Sequence, residues 1–414
     1  MKLIIITAAA PPEPIVAGRV HWDIADHLAD NNNEVLLISP YPSRPLSIKY
    51  PIHKSNSVTK VKDNFYHVNI NSFRYPRYNL FFRACESLDF GIKSIRYVNR
   101  KIKSYDLIYA SPWAYLGQLM IVILRKDKRK PLIMNVQDLY PESFITKMNS
   151  RIIYKLSKPL FLLDKYIANC SSHITVVSES LKQVYLNSRK TNDSKVSVIS
   201  NWQDESEFVK PVIPKKQIFE KYNLKALDKR FVYMYLGNIG PVAGVEIIIN
   251  AFAKLHINDS TLVIAGCGSY KERCRLLADK LKISNIFFLE VPPGLQSVVE
   301  LQSISDVLLL PIMPDAANSS IPSKLIAYMF SGKPIITSAN IQSETASAIK
   351  ESGCGWITKS NDISEWTILM NLAIKTNKTK LNAMGRSGFG YALKNYSKKE
   401  GLIKVSQLFY KLIN

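Results

Sequence analysis

The sequence predicts an α/β protein of two doubly wound, Rossmann-like domains facing each other across a cleft. Three observations carry that expectation. The chain has 414 residues, too many for one ordinary core and suited to two domains of roughly 200 residues each. Short runs rich in Leu, Ile and Val alternate with segments of helical apolar spacing, the pattern of a parallel sheet joined by crossover helices. The series breaks once, at 201–230, where Pro211, Pro214 and many charges read as an interdomain linker. The expected division is a first domain over 1–200, the linker over 201–230, a second domain over 231–395, and a closing helix over 396–414 that packs back on the first domain.

The opening KLIIIT run reads as a buried strand over 3–7, with Pro11-Pro12 in its exit loop; it is too short for the apolar core of a signal peptide. A helix over 17–30, a strand over 34–39 and a helical pattern over 78–103 follow. Residues 107–124 are the most lipid-like, but Ser111-Pro112 interrupts them. That leaves a strand over 107–110 and a helix over 114–125, where about 20 unbroken apolar residues are needed to span a bilayer. Strands over 131–136 and 174–178, a helix over 152–170 between them, and a strand over 195–200 complete the first series. The second runs strand 231–236, helix 244–255, strand 261–265, helix 270–281, strand 286–289, helix 294–303 and strand 307–310. It ends with a strand near 355–358 and closing helices.

Inside the second series lies NSSIPSKLIAYMFSGKPIITSAN, residues 318–340. Ser319 or Ser320 is a candidate N-cap, and Pro322 is tolerated in a first turn because its missing N–H has no partner there. Leu325, Ile326, Met329 and Phe330 recur at helical spacing; Gly332 and Pro334 end the helix before a buried strand. Lys324 falls in the first turn, where a largely exposed ammonium adds a full charge to the partial charge of the helix terminus. That is a place for a phosphate or diphosphate, although an ordinary capped helix with a solvated lysine has the same residues. Two glycine loops also follow strands of this series: Gly237-Asn238-Ile239-Gly240-Pro241-Val242-Ala243-Gly244 and Gly266-Cys267-Gly268-Ser269. Each alone is also a tight turn. With the 311–324 loop and Lys324 they read as a cradle for a nucleoside diphosphate.

The chain carries 55 Lys and Arg against 33 Asp and Glu, net +22. Residues 44–103 hold 13 basic and 3 acidic side chains, with Tyr50, Phe65, Tyr66, Phe73, Tyr75, Tyr78, Phe81 and Phe82 among them. Such a surface calls for an anionic partner: nucleic acid, an anionic membrane face or a phosphorylated substrate. Cys85, Cys170, Cys267, Cys274 and Cys354 show neither CxxC nor metal-ligand spacing, and the six histidines form no HExxH. The cysteines read as reduced thiols of a cytoplasmic protein without a built-in metal.

The order and wording of these pieces resemble the retaining family 4 glycosyltransferases of GT-B architecture, and within them the O-antigen and capsule branch that includes N-acetylfucosaminyl transferases. Pro11-Pro12-Glu13 with Ala17-Gly18-Arg19 resembles the first donor-side loop of that branch, and Ile108-Tyr109-Ala110-Ser111-Pro112 its strand-end Ser-Pro. The run Val136-Gln137-Asp138-Leu139-Tyr140-Pro141-Glu142-Ser143 is similar to its Asp-Leu-aromatic-Pro-Glu-Ser signature. Asn201-Trp202, Gly237-Asn238-Ile239-Gly240 and Ile321-Pro322-Ser323-Lys324 resemble its strand-end Asn, its Gly-Asn-aliphatic-Gly loop and its Pro-Ser-Lys helix. The resemblance runs from residue 1 to about 395. Ser319 and Ala327 stand where many family members carry two glutamates, and Asn238 and Ala243 stand where many have Arg and Lys.

The resemblance implies transfer, with retention, of N-acetyl-L-fucosamine or a related 6-deoxy or N-acetylamino sugar from a UDP-linked donor. The implied acceptor is a polyprenyl-diphosphate-linked saccharide of O-antigen or capsule synthesis. Implied donor-binding residues are Gly18, Arg19, Asn238, Gly240, Gly268, Ser319, Ser320, Ser323 and Lys324. Lys324, Asp138 and Glu142 are the expected catalytic groups, and Ser111, Asp138 and Glu142 the acceptor side. No metal or other cofactor is expected, because the cleft loops hold no DxD pair and Asp315 stands alone. Arg19 can equally pair with Asp23 four residues on. Since such an acceptor hangs from a lipid, the basic 44–103 region reads as contact with the inner face of the plasma membrane rather than nucleic acid. Two other readings stay open: a non-hydrolysing sugar-nucleotide epimerase, which shares the architecture but needs more clustered acid–base groups, and a non-catalytic membrane- or nucleic-acid-binding protein.

Overall fold

The computed structural model describes all residues except 45–47, 76–78, 114, 143–150, 210–212, 228–229, 256–258, 293, 314–320, 359–361 and 414. The chain forms two units, Met1–Asn201 with Gly401–Asn414, and Trp202–Glu400.

The first unit runs β1 (Lys2–Thr7), α1 (Val16–Asp30), β2 (Glu34–Pro40), β3 (Ser57–Lys62), β4 (Phe65–Ile70), α2 (Leu80–Lys101), β5 (Leu107–Ser111), α3 (Leu116–Leu124), β6 (Leu132–Val136), α4 (Arg151–Cys170), β7 (His173–Val176), α5 (Glu179–Arg189) and β8 (Val196–Val198). These strands form one sheet in the order β3-β4-β2-β1-β5-β6-β7-β8. It is parallel except for the antiparallel β3–β4 hairpin at one edge. Helices cover a sheet whose central strands are apolar on both faces: every residue of β5 and β6 is buried. The hairpin was not expected from the sequence. β3 is an exposed edge strand, SVTKVK, so it lacks a buried run, and Asp63-Asn64 was the only turn signal.

The second unit begins with α6 (Ser206–Val209) and α7 (Lys215–Lys221). It continues β9 (Phe231–Leu236), α8 (Val245–Ala253), β10 (Ser260–Ala265), α9 (Lys271–Lys280), β11 (Ile286–Leu289), α10 (Leu295–Ile304), β12 (Val307–Leu310), α11 (Ser323–Phe330), β13 (Ile335–Ser338), α12 (Glu344–Ser352), β14 (Gly355–Thr358), α13 (Ile363–Lys375) and α14 (Lys378–Tyr396). Its sheet, β11-β10-β9-β12-β13-β14, is parallel throughout. β9 shows the two-residue period of a doubly covered strand: Met234 and Leu236 join one core, Tyr233 and Tyr235 the other. Residues 201–230, read as a linker from their prolines and charges, are not a bare connector. Ile218, Phe219, Leu224 and Leu227 are buried in this unit's core. The last helix, α15 (Lys398–Ile413), carries the chain back into the first unit, where Phe409 is fully buried against Tyr109.

Among the parallel strands of each sheet the chain order reverses once, between β1 and β5 and between β9 and β12. In open α/β sheets the crevice beyond the carboxyl ends of the strands at such a reversal is where ligands bind. Among the described residues, no helix is long and apolar enough to cross a membrane.

Candidate functional site

At the second reversal, the loops after β9 and β10 and the start of α11 converge on Lys324. Helix α11 starts at Ser323 with Pro322 as its N-cap and no side-chain cap bond among the described residues. This is one step later than the sequence reading, which put Pro322 inside the first turn. The expected caps, Ser319 and Ser320, lie outside the described residues. Tyr328, one turn on from Lys324, is fully buried; its hydroxyl donates to the Leu236 carbonyl (3.1 Å) and accepts from the Leu236 N–H (2.8 Å). That pair pins the helix to the end of β9, and Gly332, at φ +67°, closes it as expected.

Lys324 corrects the expectation of an exposed side chain. Its Nζ donates to the Tyr235 hydroxyl and lies 3.4 Å from the Asn238 carbonyl. It also sits 4.5 Å from the centre of the Tyr235 ring. The helix start folds inward over the end of β9, so the stem is packed and the ammonium is partly desolvated. Burial pulls its pKa from the ordinary 10.5 to about 8. No carboxylate pairs with it among the described residues.

The glycines explain how the loops come so close. Gly237 has φ +147°, and a Cβ there would run into the Lys324 side chain. Gly268 has φ +152°, and its missing Cβ leaves room for the Ile239 carbonyl and, at 2.7 Å, for Asn238 Oδ1. The Ile239 N–H donates to the Cys267 carbonyl (2.8 Å), and the Tyr270 N–H to the Ile239 carbonyl (2.9 Å), locking the two loops together. The Tyr235 hydroxyl bonds the Asn238 carbonyl (2.5 Å), and Gly240 lies against the Asn238 side chain. The structure therefore brings Asn238, Gly240, Gly268, Ser323 and Lys324 together in one unit. Tyr235 and Tyr328, which hold the lysine and its helix in place, were missed. They looked like ordinary core tyrosines, and only their i, i+2 and i, i+4 relations to the Gly237 loop and to Lys324 could have flagged them.

The first unit has its own cluster at the β1–β5 reversal. Gly18 is packed so close to the loop after β1 that a Cβ would sit 2.7 Å from the Ala9 carbonyl, which lets the start of α1 and Arg19 approach that loop. Asn135 at the end of β6 is the hub. Its Oδ1 accepts from Ser111 Oγ (3.1 Å), Gln137 Nε2 (2.7 Å) and His21 Nε2 (3.3 Å), and its Nδ2 donates to Thr175 (2.9 Å). Burial lowers the His21 pKa to about 4, so the ring is neutral; its Nδ1 meets the Thr7 hydroxyl at 2.8 Å. Asn201 Nδ2 donates to Gln137 Oε1 (2.9 Å). Ser111 is thus a buried member of this network. Asp138, the next residue after Gln137, is exposed.

Glu142 corrects its expectation as a free reacting carboxylate. Both its oxygens are engaged by the buried Arg189, one Nη2–Oε2 contact being 3.1 Å, and Arg189 also pairs with Asp164 at 2.7 Å. Arg189 further donates to the Tyr140 carbonyl, so this arginine fixes the 140–142 turn. Among the described residues no cluster of three or more His, Cys, Asp or Glu side chains could hold a metal ion.

Residues 17–207 match the family described as Glycosyltransferase Family 4, and residues 215–389 match Glycosyl transferases group 1. The probable glycosyltransferase WbjE of Pseudomonas aeruginosa is 24% identical over 62% of this chain and 62% of its own length. The capsular polysaccharide biosynthesis glycosyltransferase CapM of Staphylococcus aureus is 26% identical over 36% of this chain and 37% of its own. The chain thus spans less than two thirds of each of these curated relatives. The crystal structure of HepE from Anabaena in complex with UDP superposes with a TM-score of 0.71 at 14% identity, covering 99% of this chain and all of that one. The fold is GT-B.

Proposed function

We propose that this chain, whose two halves match the family 4 and group 1 glycosyltransferase models, is a glycosyltransferase that moves a sugar from a nucleoside-diphosphate donor to a lipid-diphosphate-linked saccharide in polysaccharide assembly. One observation carries the donor reading: a half-buried ammonium, Lys324, with no carboxylate partner among the described residues, at a helix start that no described side chain caps, beside two interlocked glycine loops. Breaking a sugar–diphosphate bond puts negative charge on the leaving diphosphate, and a preorganised cation with N–H groups stabilises it most when that charge is fully developed. HepE, of like fold, binds UDP, which supports UDP as the donor nucleotide. CapM's name supports a capsular polysaccharide product.

In this reading the C1–O bond to the diphosphate breaks as the acceptor oxygen bonds C1 on the same face. The acceptor proton passes to the departing phosphate oxygen, and anomeric configuration is retained without a protein nucleophile. Lys324, Ser323 and the Asn238, Gly240 and Gly268 loops hold the diphosphate; Gly18 and Arg19 of the other unit, and Ser319 and Ser320 outside the described residues, are donor contacts on the resemblance alone. Asp138 binds an acceptor hydroxyl, while Ser111 and Glu142 set the shape of its loop through Asn135 and Arg189. The sugar is N-acetyl-L-fucosamine or a related 6-deoxy or N-acetylamino sugar, on the resemblance of residues 136–143. The lipid-borne acceptor brings the protein to the inner face of an anionic membrane. Exposed Leu80, Phe81 and Phe82 at the start of α2, with Arg83 in the same turn and Lys93 and Arg96 further along the helix, favour that contact. Arg77, of the same basic 44–103 region, lies outside the described residues.

The test is thermal stabilisation by UDP, GDP and TDP, then product analysis with the matching sugar nucleotides and membrane extract. A new glycosidic bond on a lipid-linked acceptor is expected. An isomerised sugar nucleotide with no glycoside would replace this reading by an epimerase.

A further inference from the structure

On the first unit, between the outer edge of its sheet and the last helix, lies a pocket of about 630 Å³. That volume is in the range of small-molecule sites. It shares no residue with the Lys324 site or with the Asn135 network. Its floor is edge strand β8 and the amino end of β7, through Ser172, His173, Ser197, Val198 and Ile199. Its wall is α15. Leu402, Val405 and Phe409 of that helix are buried, which turns Lys404, Gln407 and Lys411 outward along the pocket.

The charge around this pocket is one-sided. Lys195, Lys404 and Lys411 line it, and no Asp or Glu does. Lys195 comes from the start of β8; its Nζ bonds the Ala168 and Asn169 carbonyls (2.9 and 3.0 Å), so that ammonium is fixed in place. Lys404 and Lys411 are seven residues apart on one helix face, about 10 Å along the axis, and both are exposed and free to turn inward. His173 is buried with its Nε2 on Ser197 Oγ at 2.8 Å, and the nearby Lys411, Lys195 and Lys182 add to burial in keeping its ring neutral. Asp193, the nearby carboxylate, is paired with Lys182 at 2.8 Å outside the lining. Asn192, Ser194 and Gln407 offer neutral hydrogen bonds, and Val198, Ile199, Leu408 and Leu412 an apolar surface.

We propose that this pocket is a second, non-catalytic anion site of the protein, which takes a phosphate ester by bridging Lys195 on the sheet to Lys404 and Lys411 on the last helix. A phosphate monoester carries close to two negative charges and several acceptor oxygens to set against the three ammoniums, and lysines bind phosphate as point charges. The apolar surface accepts the organic part of the ester. The ligand would fasten α15 to β8, so its binding is read as stabilisation. Its source is either a soluble phosphate ester or the headgroup of an anionic lipid.

The probes are inorganic diphosphate and glucose 1-phosphate, tested on the full chain, on Lys324→Ala, on Lys404→Ala/Lys411→Ala and on the triple variant Lys324→Ala/Lys404→Ala/Lys411→Ala, with sodium chloride at matched ionic strength as the control. Lys404→Ala/Lys411→Ala is expected to keep wild-type kcat/KM, since neither lysine belongs to the transfer site. A second arm uses vesicles of 30% phosphatidylglycerol in phosphatidylcholine. Vesicle binding that falls at least fivefold in Lys404→Ala/Lys411→Ala assigns the site to a lipid headgroup, whereas unchanged vesicle binding with the soluble response lost assigns it to a free ester. The proposal is overturned if the response disappears with Lys324→Ala alone, persists in the triple variant, or is matched by chloride.

Discussion

Replacing Lys324 separates the catalytic reading from a structural one, because the two make opposite demands on stability. The ammonium is desolvated, and burial alone pulls it from 10.5 to about 8. A base whose pKa is lowered on folding binds fewer protons folded than unfolded between those values, so apo stability rises as pH climbs through that window. Below about pH 8 the charge opposes folding, by at most about 3 kcal/mol at the full shift. Against that, Lys324→Met forfeits the bond to Tyr235 and part of the packing on its ring, about 1–2 kcal/mol. The two nearly cancel, so Lys324→Met and Lys324→Ala are expected to melt within a few degrees of the wild type at pH 7. Turnover is another matter. Losing one preorganised donor at a developing oxyanion costs about 2–4 kcal/mol, roughly 30- to 1000-fold in kcat/KM. The assay is steady-state transfer with the donor found by nucleotide screening, beside UDP affinity over pH 7–10. Wild-type affinity is expected to fall as pH rises past about 8, where the apo lysine loses its proton, and the variants should show no such fall. Near wild-type kcat/KM in a folded Lys324→Ala protein would refute the assignment, as would a pH profile that survives the substitution.

The remaining expectations are narrower. Transfer should persist in EDTA, because Lys324 and backbone N–H groups carry the diphosphate charge; complete loss, restored by Mg²⁺ or Mn²⁺, would show that a metal does this instead. Gly237→Ala should lower UDP affinity at least tenfold, since its Cβ meets the Lys324 stem at φ +147°; unchanged affinity would mean the lysine does not need that position. Arg189→Met leaves Asp164 buried without its partner and should cost about 3–5 kcal/mol, read as a fall of about 10 °C in Tm; an unshifted Tm would remove Arg189 as the support of the 140–142 turn. Phe81→Ser with Arg83→Glu should abolish salt-sensitive co-sedimentation with anionic vesicles, and equal binding to neutral vesicles would count against a membrane-facing α2.

Periodicity made the sheets legible, and spacing alone did not make the side-chain geometry so. Parallel strands such as LIIIT and LIMNV are buried on both faces, so composition alone exposes them, and the Gly-rich loops between strand and helix mark the carboxyl edge. The β3–β4 hairpin stayed hidden because an exposed edge strand has no buried run to read. The 201–230 stretch misled because its twelve charged residues outnumber the four that join the core. Glu142 looked available because nothing local reveals that Arg189, 47 residues on, takes both its oxygens. Lys324 looked exposed for the same reason: first-turn position is local, whereas its burial depends on Tyr235, 89 residues away.

That last difference bears on how the site works. A lysine in water would bind a diphosphate only after giving up its hydration and its conformational freedom. Here the desolvation and the ordering are already in the apo fold, sustained by Tyr235, Tyr328 and two glycines that allow the backbone inside normal side-chain distance. The first N–H groups of α11 are in the same condition, with no described side chain capping them. Both are unfavourable for the empty protein, and one diphosphate relieves both at once. Because the leaving group gains charge as the glycosidic bond breaks, that relief is greatest at the transition state, where it accelerates transfer rather than merely tightening the donor.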